Sequence, residues 1–406
     1  MPLSDVAVTG LGVVSPHGDD SRAMFAALMR GESAIGPVFP ELATAAVAAL
    51  APFDPSRWFT KLQLVGVDRV SQMAVAAAEL AVKDAGGHDG LDPVRLGVYA
   101  GCGMGGTASL DAAYRAALQH RGRVPPLTIP AFMANAPAAH VAMRQGVKGP
   151  VLTYSVACAS SAVALSEAAR NVASGDVDMA IAGGSEALVV PGSMMAWQAM
   201  QTLAPVDPTQ PSAAVKPFDS HRSGFALGEG AAFLVLERAD QARARGAGIY
   251  ALLRGWGLTC DASHLTKPDA AGQMRALADA VHRAGLLPAD VGYVNAHGTA
   301  TRIGDVVECE ALAGVWGADL QSLRVSSTKA LHGHLLGGAG ALEAVITVLA
   351  LHLQQLPPNA HCAQPDPACA VPLVLANGVE ASGLKSAISS SFAFGGTNSA
   401  LLFAHE

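Results

Sequence analysis

Short runs of β-branched and apolar residues alternate with longer alanine-rich runs along this chain, and that alternation limits its fold more than any other feature. Val6–Thr9, Arg95–Ala100, Met179–Ala182 and Ala232–Leu236 read as strands. Asp68–Ala85, Cys158–Ser174, Gly272–Ala284 and His334–Gln355 read as helices, most of them bounded by Gly, Pro, Ser or Asp. Strands this apolar need cover on both faces, which predicts an α/β architecture. A charged stretch, Ala239–Gly246, is followed by a fresh strand-like run at Ile249–Leu253, so a junction is expected near residue 250, between halves 1–250 and 251–406. Both halves show strand, helix and Gly-rich loop in similar order, without a residue-level repeat. The three prolines of Ala204–Pro211 rule out a regular helix or central strand there and predict a surface loop.

With 51% hydrophobic and 15% charged residues, the 406-residue chain has ample material for a large interior, and some of the surplus is expected to face a partner subunit. A net charge of −7 argues against binding nucleic acid or an anionic membrane, which attract a basic field. The segment Met1–Asp5 lacks the basic head and apolar stretch of a secretory signal, so a cytoplasmic protein is expected. The longest apolar stretch, Leu335–Leu351, contains Glu343 and the glycines 337, 338 and 340, and reads as a buried helix rather than a membrane span. Six scattered cysteines without CxxC spacing fit neither a disulfide scaffold nor a zinc site and read as reduced thiols.

Four segments carry candidate chemistry. In Gly149–Ala162 a strand-like run meets a helix at Cys158, where orphan N–H groups and the helix dipole would favour a thiolate and offer donors to an oxyanion. The alternative is a small core cysteine. In Val294–Thr301 a strand ends in a loop with His297 at its tip, the position where sites collect in open α/β sheets; a locally bonded histidine is the alternative. In Ser326–Gly337, Lys329 and His334 precede the long apolar helix, and burying them without a task would cost stability; the alternative is that both reach solvent. The His332-x-His334 pair suggests metal ligation only weakly, since no third ligand is evident. Ser391–Asn398 is a glycine turn between two strand-like runs, either an ordinary hairpin or a close approach to a ligand. His221, His264, His332 and His361 read as surface or locally bonded residues, and nothing calls for a metal or redox cofactor.

Taken together, with Val8–Pro16 before them and Ala182–Glu186 and Gly224–Gly230 between them, these segments resemble the β-ketoacyl-acyl carrier protein synthases of the elongating type II kind. The resemblance implies a thiolase-like, five-layered αβαβα fold built from two similar halves, usually a homodimer. It implies that Cys158 accepts the acyl group from an acyl carrier protein and that His297 and His334 stabilise the enolate formed when malonyl carrier loses carbon dioxide. Lys329 becomes an organiser paired with Glu343, and Phe394 a gating aromatic whose N–H joins that of Cys158 in an oxyanion hole. Thr299 and Thr301 match positions that contact the pantetheine arm of the carrier. The Cys-His-His set favours elongation over initiation. A ketosynthase of a polyketide or polyene pathway is the alternative, and a non-catalytic chain-length-factor-like subunit a further one that lacks the nucleophile. Pocket shape around Met104 and Phe394 would set the acyl group accepted. Two positions depart from the pattern: Lys61–Arg69 is largely uncharged where the family presents a basic helix, and Gln201 replaces a carrier-contacting arginine, which weakens the expected basic patch.

Overall fold

A computed structural model describes residues 5–118, 122–375 and 377–406. Ten strands dominate it: β1 Val6–Val14, β2 Leu96–Gly101, β3 Val151–Tyr154, β4 Met179–Glu186, β5 Gly230–Arg238, β6 Ala251–Cys260, β7 Tyr293–Asn295, β8 Arg324–Ser326, β9 Ser386–Phe392 and β10 Thr397–Ala404. They follow the spatial order β8-β7-β9-β10-β6-β1-β5-β4-β2-β3. The order splits into two five-stranded units of identical topology. In the first, β2 runs parallel to β3 and β4, while β5 is antiparallel to β4 and β1. In the second, β7 runs parallel to β8 and β9, while β10 is antiparallel to β9 and β6. Numbered within each unit, both read 3-2-4-5-1, and they meet where β1 pairs with β6 over Val6–Val8.

Six helices complete the layers: α1 Arg69–Asp84, α2 Ala136–Gln145, α3 Ser160–Ser174, α4 Ala270–Arg283, α5 Gly304–Trp316 and α6 Ala339–Leu353. Helices α1 and α2 cover the outer face of the first unit, α4 and α5 that of the second, and α3 and α6 lie between the units. The result is the five-layered αβαβα order. Its largest apolar cluster is the central one, where α3 and α6 meet strands of both units. Gly340 is needed there, since a Cβ on it would stand 2.9 Å from that of Ala162 on α3. Each Leu, Val or Ile sealed in such a layer contributes roughly 1.5–3 kcal/mol relative to exposure.

The caps explain several helix starts. Asp68 and Asp269 accept N–H bonds at the beginnings of α1 and α4. Residues Leu336–Leu353 are long and apolar enough to cross a membrane, yet 89% of that stretch is buried inside the protein. Helix α6 also begins later than its apolar pattern predicts. His334 N–H donates to Ala226 and its carbonyl accepts from Gly228, so backbone pairing holds residue 334 extended, and a 3-10 turn at Leu336–Gly338 intervenes before the helix. Ala204–Gln210 is irregular, as its prolines require.

Candidate active site

Cys158 lies one turn before α3, in the 3-10 turn Ala157–Ala159. The reversal that carries the chain from β3 into the helix puts Ala157 at φ 49°, a left-handed conformation costly for a residue with a Cβ. Ser160 holds it: its hydroxyl donates to Ala157 O at 2.6 Å and accepts from Val156 N at 2.9 Å. The N–H of Phe394, from the β9–β10 turn, reaches the Cys158 sulfur. That turn is a true hairpin, with Gly395 and Gly396 at φ 90° and 79°.

The opposite unit supplies the imidazoles. His334 Nε2 is 3.0 Å from Cys158 Sγ. His297, carried past the end of β7, has its ring 5.4 Å from that of His334 and nearly perpendicular to it. Its loop is fixed by Glu308 of α5, whose carboxylate accepts from His297 N at 2.8 Å and Gly298 N at 2.7 Å. Ser390 donates to the same carboxylate at 2.9 Å. Glu308 escaped the sequence reading; its one signal is that it and Asp305 stand one turn apart on the helix directly after the histidine loop. Lys329 is fully buried in an ion pair with Glu343 of α6, so neither side chain reaches solvent.

Burial sets the protonation states. It pushes the Cys158 thiol up to about 12, against the opposing pull of Lys329 and the Phe394 N–H. Enclosure of the sulfur works against the thiolate that a helix end favours. Burial, aided by the Lys329 charge, also holds His297 and His334 well below the usual histidine range. Burial thus favours a thiol and two neutral imidazoles as the resting state of the site.

Donor atoms of Cys158, His297 and His334 all lie within 4.8 Å of one another, a set chemically able to ligate a soft divalent ion. The Lys329 ammonium, close enough to depress both imidazoles, opposes a second cation there. His332 takes no part, its Nε2 being bonded to Thr328 Oγ1 at 2.9 Å.

The triad lies in the wall of a cavity of about 800 Å³ that also contacts Trp197, Phe225, Leu336 and Phe394. Thr299 and Thr301 line it, their hydroxyls 3.1 Å apart, near Arg302 and Lys267. Trp197 stacks on Phe394 with centroids 6.3 Å apart, and packs edge-on to Phe225, which in turn meets His334. Met104 is outside this cavity's lining and 45% exposed. The segment around residue 61 forms turns rather than a helix; Leu62 and Val65 are exposed, while Arg69 turns inward to Glu229 and Ala51 O. Gln201 stands exposed on the cavity rim.

Residues 3–242 match the beta-ketoacyl synthase N-terminal domain, and residues 250–363 the corresponding C-terminal domain. The chain belongs to the β-ketoacyl synthase family. Among curated relatives, 3-oxoacyl-[acyl-carrier-protein] synthase 2 of Vibrio cholerae is 35% identical, with 98% of each chain covered. Nodulation protein E of Rhizobium sp. strain N33 is 38% identical, with 98% of each covered. A solved type II polyketide ketosynthase, AntDE, in complex with its acyl-carrier protein AntF and bound to the hexaketide, superposes with a TM-score of 0.91 at 27% identity over the full length of both chains. Membership makes the chain an acyl-transferring condensing enzyme with the thiolase-like fold.

Proposed function

We propose that the protein is a 3-oxoacyl-[acyl-carrier-protein] synthase that elongates fatty acyl chains by decarboxylative Claisen condensation. The observation that carries this reading is the 3.0 Å contact between His334 Nε2 and Cys158 Sγ, with His297 beside it in a buried cavity wall. Cys158 sulfur attacks the acyl thioester of the carrier as His334 takes the thiol proton, so no charge pair has to stand in the buried site beforehand. The proton passes to the departing pantetheine sulfur, leaving acyl-Cys158. Malonyl carrier then enters with its thioester oxygen between the imidazoles. Carbon dioxide leaves, its bonding electrons form an enolate, and the oxygen is stabilised by the Nε2–H of His297 and by that of His334 once its single ring proton has moved from the unpartnered Nδ1 to Nε2. The enolate carbon attacks the acyl carbonyl, whose oxyanion accepts from the N–H groups of Cys158 and Phe394. Collapse releases 3-oxoacyl carrier and Cys158, which recovers one proton from water.

Lys329 organises the site through Glu343, Thr299 and Thr301 hold the pantetheine arm, and Phe394 gates the acyl side. Residues 1–250 and 251–406 form the two functional halves. The enzyme works in the cytoplasm, in keeping with six free cysteines, and as a homodimer. Support for the dimer comes from β3, an edge strand with Val151 and Leu152 exposed, the kind of edge that a second copy would cover.

The likeness to a polyketide ketosynthase favours one second reading, a synthase of a secondary-metabolite pathway. Both are tested by intact mass after incubation with acyl carriers of short, medium and long chains, beside Cys158→Ala, followed by malonyl carrier. An adduct on the unaltered chain alone, discharged as a single 3-oxoacyl product, supports fatty-acid elongation, and repeated unreduced extension supports the second reading. No adduct from any donor defeats both.

A further inference from the structure

Glu186, the last residue of β4, is fully buried and has no cationic partner among the described residues. Its carboxylate is held instead by neutral donors from both halves of the chain. Oε2 accepts from Gly103 N at 2.9 Å and from Gly337 N at 3.0 Å, and Oε1 accepts from Met104 N at 3.1 Å. The fit leaves no spare room: a Cβ on Gly337 would stand 2.3 Å from Gly103 N and 2.8 Å from the carboxylate. Directly before Gly337 comes Leu336, held at φ 43° although it is a γ-branched residue, and Leu336 lines the cavity and packs with Cys158, Phe225 and Leu227. A strained residue persists only where its surroundings over-determine it, and the bond from Gly337 N to Glu186 is such a constraint. His334, two residues earlier, has its own tethers to Ala226 and Gly228.

We infer that Glu186 is a positioning residue for acyl-chain selectivity: its carboxylate ties the Gly103–Met104 loop to Gly337 and so fixes Leu336 as a wall of the acyl pocket, independently of His334. The inference rests on the proposed function for its meaning, but the wall can be probed without any carrier protein. The probes are N-methyl and N-decyl iodoacetamide, and the readout is the ratio of their rates of alkylation at Cys158.

Removing the wall or its tether changes access for the long probe far more than for the short one. Glu186→Gln, Gly337→Ala and Leu336→Ala are each expected to shift the ratio in the same direction by about fivefold or more, a size in line with small changes in an apolar pocket. Gly337→Ala and Leu336→Ala keep the test available if Glu186→Gln fails to fold. Equal changes in both rates, or a ratio that responds to Leu336→Ala but not to the two tether variants, would overturn the inference. Failure of the synthase reading shows separately, as an unaltered chain that takes no acyl group from any carrier while its alkylation ratios still respond.

Discussion

His334 Nε2 reaches within 3.0 Å of Cys158 Sγ although 176 positions separate the two residues in the chain. His297 is not bonded to the sulfur; its ring is perpendicular to that of His334 across the same space. On the proposed mechanism both imidazoles serve the thioester oxygen and His334 alone also serves the sulfur, so the loss of His297 should be separable from loss of the sulfur chemistry.

Cys158→Ala removes the acyl acceptor but leaves both enolate-stabilising groups. It should abolish acyl transfer while carbon dioxide release from malonyl carrier persists. His297→Ala should lower carbon dioxide release by about 10²–10³-fold, the size of effect seen when one oxyanion donor is lost, while Cys158 still becomes acylated. Labelled carbon dioxide release and intact mass, measured on the same samples, separate the two steps.

Because burial raises the Cys158 thiol to about 12, only a small thiolate fraction exists near neutrality. That fraction grows about tenfold per pH unit while pH stays below the thiol's own value. Iodoacetamide alkylation of Cys158 should accordingly rise with a slope near one on a logarithmic plot between about pH 7 and 9. A flat profile over that range would mean a preformed thiolate–imidazolium pair and would contradict the neutral resting site.

Lys329 and Glu343 are both shielded from water, so each is costly without the other. Lys329→Met alone leaves a buried carboxylate unpaired and should destabilise by about 3–5 kcal/mol. Adding Glu343→Leu should recover much of that loss, since apolar replacement of a buried pair is often neutral. Chemical denaturation of the single and double variants measures the recovery. If the pair organises the site, activity stays low in the double variant even as stability returns.

Trp197 holds Phe394 in place by stacking, and aromatic contacts of this kind are worth about 0.5–1.5 kcal/mol beyond their buried area. Trp197→Ala should loosen the β9–β10 turn, speed hydrogen exchange at Gly395 and Gly396, and raise hydrolysis of acyl-Cys158 by admitting water. Unchanged exchange at those glycines would show that the stack does not restrain the gate.

The sequence pattern made the α/β architecture legible and marked Cys158, His297 and His334 as candidates, because strand-to-helix turns and polar tips interrupt an otherwise apolar pattern; their roles were implied only by the family resemblance. It did not expose Glu308 or Glu186. A buried acid held by backbone N–H groups has no local signature; its donors come from loops far away in the chain, such as Gly337 for Glu186. The start of α6 was misplaced for a similar reason, since the pairing of His334 with Ala226 and Gly228 is non-local. The protonation of Cys158 was also out of reach, because it depends on how fully the fold encloses the sulfur.

The shared 3-2-4-5-1 order has a consequence for how such a site can arise. Cys158 occupies the connection from the third strand to the central helix of one unit, and Lys329 and His334 occupy the same connection in the other. In a pair of identical separate subunits, a mutation placing a thiol in that connection would appear on both sides of the axis at once. Joined in one polypeptide, the twin connections are free to diverge, so one can carry the cysteine and the other the histidine that meets it.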